Sequence, residues 1–111
     1  MSQPYAYIFD LLGQSQEIAE DSILSRTVYS DSHMKAILFT FAAGQELSEH
    51  TSAQTAILHF LRGEADVTLG EDSMAAQAGT WIHMAPRLPH SIVAKTPVVM
   101  LLLMVKGASG A

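Results

Sequence analysis

Apolar and polar side chains alternate along most of this chain with a period of two, whereas an amphipathic helix repeats about every 3.6 residues. In the segment 64–69, Ala65, Val67 and Leu69 alternate with acidic and hydroxyl side chains, which predicts a strand with one exposed face. Such segments follow one another from about residue 22 onward. The predicted strands are 23–29, 34–42, 45–50, 54–62, 64–69, 74–78, 80–84, 90–95 and 97–105.

Turn residues separate these strands. Gly44, Gly63 and Gly79 each lie between two predicted strands, and residues 70–73 have the composition of a turn. About nine short strands with turns roughly every 6 to 12 residues predict an all-β sandwich or closed barrel. Only the first 20 residues are a candidate for helix, and they predict either one amphipathic turn or an irregular arm.

The length of 111 residues suits one domain and leaves no room for a second core. We expect residues 1–111 to form that single domain. Its parts are predicted to be an N-terminal arm at 1–21, a barrel core at about 22–106 and a flexible tail at 107–111.

Composition excludes several classes of function. The chain has no cysteine, so disulfides, thiolate metal sites and cysteine nucleophiles are excluded. Six Lys and Arg stand against 11 Asp and Glu without a basic cluster, so we expect no nucleic-acid partner. The longest apolar run, 98–105, is much shorter than the about 20 residues of a membrane-spanning helix, so we expect no membrane partner. The first residues lack the features of a secretory signal, which favours a cytoplasmic location.

Two segments in the middle of the chain carry ordered glycine, histidine and proline residues. In GQELSEHTSAQTAILHFLRG, five residues separate Gly44 from His50 and the segment ends at Gly63. In GTWIHMAPRLPHSI, Gly79 and two prolines precede His90. These segments resemble the two motifs of the cupin superfamily, and the resemblance covers about residues 36 to 105. It implies a small single-domain cupin of the RmlC-like type, with the all-β fold called a double-stranded β-helix or jelly-roll barrel.

The chain departs from the family pattern at the positions that usually hold a metal. Of the four usual ligands, only His50 and His90 are present, because the second histidine falls on Ser52 and the glutamate on Ala56. The glycine of the family's proline–x–glycine segment falls on Arg87.

Two hypotheses follow for the histidine pair. In the first, His50 and His90 hold one divalent metal ion. Because strand side chains alternate, Glu46 is expected on the same face as His50 and could add a carboxylate, and Gln54 could add an amide. In the second, the pair binds no metal and is hydrogen-bonded to water or to each other.

The predicted pocket is mostly apolar, with two imidazoles, a composition typical of a small-molecule site. Besides the histidines, Glu46 and Gln54, its predicted residues are Ser52, Ala56, Leu58, Phe60, Ile82, Met84 and Ile92. We expect a small, largely apolar ligand, and with a metal the resemblance implies dioxygenase- or isomerase-like activity. The alternative is a metal-free binding or sensing module without catalysis.

Side-chain parity predicts that His59 and His83 face outward, unless a one-residue register slip makes them a second ligand set. Apolar residues are also predicted on the outside of the barrel. They are Ile57, Leu61, Trp81, Val93 and one face of the strand 98–105. A contiguous apolar surface of this kind predicts a twofold homodimer. Alternatively, the first 20 residues fold back over it.

Overall fold

A computed structural model describes residues 4–106, which form two facing antiparallel sheets. The predicted tail at 107–111 lies outside the described residues. No helix in this part of the chain is long and apolar enough to cross a membrane. The strands are β1 (Ile23–Ser30), β2 (Met34–Phe41), β3 (Glu46–His50), β4 (Thr55–Arg62), β5 (Ala65–Leu69), β6 (Asp72–Ala76), β7 (Trp81–Met84), β8 (His90–Ala94) and β9 (Val98–Val105).

The nine predicted strands are confirmed, and most of their bounds agree within one residue. The main difference concerns β6, which was predicted at 74–78 and begins at Asp72. The turn between β5 and β6 consists of only two residues, Gly70 and Glu71, because Leu69 already pairs with Asp72. Gly70 has a φ of 62°, and a positive φ at this position suits the tight hairpin turns that glycine permits.

The two sheets have the strand orders β1-β2-β9-β4-β7 and β3-β8-β5-β6. We call them the large sheet and the small sheet. The chain passes repeatedly from one sheet to the other, so strands that are distant in sequence, such as β2 and β9, become neighbours. This is the jelly-roll barrel that the motifs predicted.

The main core lies between the two sheets. Phe41, Leu58 and Phe60 from the large sheet pack against Val67 and Ile92 from the small sheet, and all five are buried. Each contributes about 1.5–3 kcal/mol when fully buried, so this layer holds the sheets together.

A second apolar cluster lies on the outer face of the large sheet. Leu38 and Leu101 are buried there, and Leu11 and Leu12 of the N-terminal arm pack against them. From residue 4 onward, the arm is irregular apart from a single 3-10 turn at Leu12–Gln14, which agrees with the prediction of an irregular arm. The arm therefore folds back over part of the outer apolar surface, as the alternative to a dimer predicted.

Candidate functional site

The structure brings the side chains of His50 and His90 together. His50 is the last residue of β3 and His90 the first of β8, and the two are direct partners in the antiparallel ladder. Their ring centroids are 4.1 Å apart, with an angle of 59° between the ring planes. His90 is only 6% exposed, whereas His50 is open to solvent. The pair thus lies at the boundary between the core and the surface.

Backbone carbonyl groups fix the tautomer of both rings. The Nδ1 atom of His50 lies 2.9 Å from the carbonyl oxygen of Ser48, and that of His90 lies 2.9 Å from the carbonyl oxygen of Leu88. A carbonyl oxygen can only accept, so each Nδ1 carries the hydrogen and donates it. In the neutral rings, Nε2 is then the nitrogen with a free lone pair. Within residues 4–106, neither Nε2 has a hydrogen-bond partner.

Burial favours the neutral form of His90. Loss of hydration lowers the pKa of His90 below its usual range, and the nearby imidazole of His50 lowers this pKa further. The hydrogen bond to the carbonyl oxygen of Leu88 acts in the opposite direction but is the weaker influence. At neutral pH, His90 therefore offers a lone pair rather than a positive charge.

A β-bulge in β3 changes which residues share a face with His50. Leu47 pairs with Ile92, but His50 pairs with His90, so β3 contains one residue more than β8 between these pairs. Leu47 packs on the main core, whereas Glu46 pairs with Val93 and is exposed. The prediction that Glu46 shares a face with His50 is wrong, because the bulge interrupts the alternation on which it rested.

Ser52 and Gln54 belong to the loop that joins β3 to β4. The hydroxyl oxygen of Ser52 accepts a hydrogen bond of 3.1 Å from the backbone N–H of Gln54, and this bond closes a turn. The carbonyl oxygen of Ser52 accepts a hydrogen bond from the backbone N–H of Arg87, in the loop that leads to His90. Both loops next to the histidine pair are thereby connected. The Ser52 hydroxyl has a local structural role, and the side chains of both residues are half-buried.

The six apolar residues of the predicted pocket are buried in the main core. They pack against one another and fill the barrel beneath the histidines, so they do not line an open cavity of the kind expected. These residues are Ala56, Leu58, Phe60, Ile82, Met84 and Ile92. A cavity of about 430 Å³ lies elsewhere, outside the barrel and under the N-terminal arm.

The outward orientation of His59 and His83 is confirmed. Their neighbours along β4 and β7 are buried in the main core, and His59 pairs with the exposed Trp81 across the outer face. His83 is itself exposed. The register therefore excludes the alternative in which these two histidines enter the barrel as a second ligand set.

Comparison with known proteins agrees with this architecture. A family model described as "Cupin domain" matches residues 37–106, which include both histidines of the pair. The chain belongs to the cupin family. A search of the curated proteins gave no match for this cupin.

Several solved structures share the fold of this cupin. A conserved protein of unknown function from Streptococcus pyogenes is 30% identical, with a TM-score of 0.80 over 92% of this chain and 89% of that one. An RmlC-like cupin from Desulfovibrio desulfuricans is 23% identical, with a TM-score of 0.80 over 91% and 97%. A cupin superfamily protein from Desulfitobacterium hafniense is 23% identical, with a TM-score of 0.77 over 81% and 83%. At 23% identity, the last two likenesses show the fold alone.

The residues of this cupin do not fit a tightly held metal ion. Within residues 4–106, no group of three or more His, Cys, Asp or Glu side chains is arranged to hold one. Protein zinc sites need three or four such ligands, and His50 and His90 supply two. Two other residues occupy the positions of the missing family ligands. Ser52 offers a hydroxyl that already closes a turn, and Ala56 offers only a methyl group.

Sequence reasoning missed the two groups that orient the histidines. These are the carbonyl oxygens of Ser48 and Leu88. Every residue has a backbone carbonyl, so no residue type signals this role in the sequence. In both cases the carbonyl belongs to the residue two positions before the histidine. This spacing indicates a hydrogen bond to Nδ1 only when the loop geometry is known.

Proposed function

We propose that this cupin binds a small molecule at the mouth of the barrel, where the Nε2 atoms of His50 and His90 act together as hydrogen-bond acceptors. The observation that carries the proposal is the paired arrangement of the rings, with both Nδ1–H groups tied to backbone carbonyls. Such fixed tautomers leave two Nε2 lone pairs for a ligand. Two oriented acceptors at the edge of an apolar core are a typical basis of ligand recognition.

The chemical class of the ligand follows from these acceptors and from the core below them. A partner for Nε2 must donate a hydrogen bond, as a hydroxyl or N–H group does. The filled interior leaves room only near the exposed His50, so the ligand is small. Because the core beneath is apolar, the rest of the molecule is largely apolar, as in a phenol. Binding of this kind needs no metal.

A second candidate is a weakly held divalent metal ion. Metal-ligating imidazoles characteristically donate their other N–H to a carbonyl or carboxylate, as His50 and His90 do here. The ion would be held by the two Nε2 atoms, with water as its other ligands, and would supply Lewis-acid chemistry. The dioxygenase- or isomerase-like activity implied by the family belongs to this candidate.

A histidine-detected NMR titration separates the two candidates. Metal-free protein labelled with ¹⁵N at histidine should show both rings as the Nδ1–H tautomer. It is then titrated with a set of small phenols in the presence of a chelator, and separately with Zn²⁺. Selective shifts of the His50 and His90 Nε2 signals by a phenol support the leading proposal. Shifts with Zn²⁺ alone support the second candidate.

Variants link any response to the site. His50→Ala is the main variant, because His50 is exposed and the substitution leaves the core intact. His33→Ala is the matched control, since His33 lies in an exposed turn between β1 and β2. Binding must be lost in the first variant and retained in the second. A titration in which neither phenols nor Zn²⁺ move the paired resonances would contradict both candidates.

A further inference from the structure

The cavity under the N-terminal arm lies between the arm and the outer face of the large sheet. Its volume of about 430 Å³ falls within the range of about 300–1,000 Å³ that is typical of small-molecule pockets. Its apolar wall comes from the arm, β1, β2 and β9, and includes Ile8, Leu11, Val28, Met34, Ala36 and Leu101. None of these residues belongs to the small sheet, which carries the histidine pair.

A β-bulge in β1 turns two successive residues toward this cavity. Thr27 pairs with Ile37. The next pair is Tyr29 with Ala36, so β1 contains one residue more than β2 between these pairs. Neighbouring side chains of a regular strand point to opposite faces, yet Val28 and Tyr29 both line the cavity. Bulges re-aim side chains in this way and are frequent beside functional sites. Here the bulge brings a phenol group to an otherwise apolar cavity.

The rim of the cavity carries the carboxylate of Asp31 beside the phenol group of Tyr29. The hydroxyl of Tyr29 donates a 2.6 Å hydrogen bond to one carboxylate oxygen of Asp31. The other oxygen accepts hydrogen bonds of 2.7 and 2.9 Å from the backbone N–H groups of His33 and Met34. These bonds, chiefly that from Tyr29, lower the pKa of Asp31 to about 2, so the carboxylate is ionised at neutral pH. They also fix its position.

The two side chains at the rim can accept hydrogen bonds but cannot donate one to a ligand. A carboxylate only accepts, and the hydroxyl hydrogen of Tyr29 is already donated to Asp31. The ammonium group of Lys106 donates to the backbone carbonyl oxygen of Asp31 and to the hydroxyl of Ser30. Within residues 4–106, no lysine or arginine forms an ion pair with the Asp31 carboxylate. A ligand that complements this rim is therefore a positively charged hydrogen-bond donor.

We propose that the cavity under the arm binds a small apolar amine, with its ammonium group at the Tyr29–Asp31 rim and its hydrocarbon part against the apolar wall. The ammonium group supplies the donor and the positive charge that the rim lacks. The hydrocarbon part removes apolar surface from water on both the arm and the sheet. The site is independent of the function proposed for His50 and His90, because the two sites share no residue.

The N-terminal arm gives such a ligand a way into the cavity. Within residues 4–106, one hydrogen bond joins residues 4–14 to a strand, and it runs over 3.4 Å from the guanidinium of Arg26 to the carbonyl oxygen of Gln14. The other contacts of the arm are apolar, and Leu11 and Leu12 pack on the sheet. Segments with so few hydrogen bonds open locally at low cost. We therefore expect the arm to open for an amine and a bound amine to hold it closed.

Three compounds with the same ring test the chemistry of the site. They are 2-phenylethylamine, which is cationic at neutral pH, the neutral 2-phenylethanol and the anionic phenylacetate. Each is titrated into the full chain with labelled methyl groups, and the methyl signals are followed by NMR. Ile8 and Val28 report on the cavity, whereas Ile82 and Ile92 report on the barrel core.

We expect 2-phenylethylamine to shift the Ile8 and Val28 signals and to leave those of Ile82 and Ile92 unchanged. It should bind about 3- to 5-fold more tightly than 2-phenylethanol, the gain typical of an ion pair at an exposed rim. Phenylacetate should bind most weakly, because its carboxylate meets that of Asp31. Added salt should reduce the advantage of the amine.

Two variants test the rim and the wall separately. Asp31→Asn removes the charge but keeps an oxygen for the two backbone N–H groups, and it should abolish the advantage of the amine over the alcohol. Asp66→Asn is the matched control, because Asp66 is an exposed carboxylate on the small sheet, and it should keep that advantage. Ala36→Leu fills the cavity from the sheet and should abolish the shifts with all three compounds. Circular dichroism checks that each variant is folded.

Limited proteolysis tests the closure of the arm. Chymotrypsin cleaves after aromatic residues, and Tyr5, Tyr7 and Phe9 of the arm are 70%, 76% and 88% exposed. With 2-phenylethylamine at ten times its dissociation constant, cleavage in the arm should slow by up to about 10-fold, because the ligand binds only the closed form. The same concentration of phenylacetate should have little effect.

Four results would overturn the proposal. The first is the absence of Ile8 and Val28 shifts with 2-phenylethylamine up to about 10 mM, which would exclude even weak binding. The second is equal binding of phenylacetate, or an amine preference that survives in Asp31→Asn, because either would show that the rim does not select the charge. The third is a set of shifts confined to Ile82 and Ile92, which would place the amine in the barrel. The fourth is arm cleavage at an unchanged rate in the saturated protein.

Discussion

The backbone N–H of Arg87 donates a 2.7 Å hydrogen bond to the carbonyl oxygen of Ser52, and it does so from a left-handed conformation with a φ of 67°. The bond joins the loops that precede β4 and β8, next to the histidine pair. A left-handed conformation costs an L-residue about 1–2 kcal/mol, and the cupin pattern has glycine at this position. The loop connection is thus maintained at a local conformational cost.

Replacing Arg87 by glycine should stabilise the protein. Arg87→Gly removes the cost of the left-handed conformation. Glycine also gives the unfolded chain more conformational freedom, which lowers the free energy of unfolding by about 0.4–1 kcal/mol. We expect a net gain of about 0.5–1 kcal/mol in the free energy of unfolding, measured by urea denaturation. Lys95→Gly is the control, because Lys95 is also exposed but has no positive φ, and it should lose stability. Equal losses in both variants would show that the conformation at Arg87 is not strained.

Gly63 should tolerate alanine much less well than Gly44. Both have a positive φ, of 88° and 83°, so alanine brings the same conformational cost of about 1–2 kcal/mol at each. A Cβ at Gly63 would also overlap the carbonyl oxygen of Pro97, whereas a Cβ at Gly44 meets no atom within 4 Å. We expect losses of about 2–5 kcal/mol for Gly63→Ala and about 1–2 kcal/mol for Gly44→Ala in urea unfolding. Similar losses would mean that the chain at Pro97 moves away without cost.

Stability should fall on mild acidification because of His90. Its pKa is lower in the folded state than in the unfolded chain, chiefly through burial. Between the unfolded value of about 6.5 and the lower folded value, the unfolded chain binds more protons, so the free energy of unfolding decreases as the pH falls. Asp31 does not interfere, because its folded pKa of about 2, lowered chiefly by the hydrogen bond from Tyr29, and its unfolded pKa of 3.8 both lie below this range of pH.

Urea unfolding at pH 7.5, 6.5 and 5.5, three values that bracket the ordinary histidine pKa of about 6.5, measures this effect. The slope with pH should be flatter in His90→Gln than in the wild type. A His90→Gln variant with an unchanged slope would show that another group causes the dependence.

The limits of the sequence predictions have physical causes that differ between elements. In β4, Ala56 falls on an inward position of the cupin motif, so side-chain alternation from Ala56 correctly placed Leu58 and Phe60 inside and His59 outside. Segment 46–50 contains a single apolar residue, Leu47, and polar residues at both parities. No hydrophobic pattern therefore fixed its register, and the bulge that moves Glu46 away from His50 could not be seen. The path of the arm could not be predicted from the sequence either, because the arm contacts a sheet face that forms only in the folded protein.

The prediction that follows from the site itself is that a metal site can be completed by two substitutions. His50 and His90 already have the tautomer that exposes Nε2, and the missing family ligands correspond to Ser52 and Ala56. The double variant Ser52→His with Ala56→Glu would bring the ligand number from two to four. Because Ala56 is buried, its carboxylate lacks a partner without metal, and we expect the metal-free variant to lose about 1–3 kcal/mol of stability.

Zn²⁺ should restore this loss in the double variant, because binding to the folded state alone stabilises it by mass action. Titration calorimetry should show one Zn²⁺ per chain, bound at least about 10–100-fold more tightly than by the wild type. Adding Glu46→Gln to the double variant should leave the affinity unchanged, since Glu46 lies on the outer face beyond the bulge. A clear loss of affinity with Glu46→Gln would instead mean that β3 shifts its register when metal binds, and that the bulge is not a fixed feature of the site.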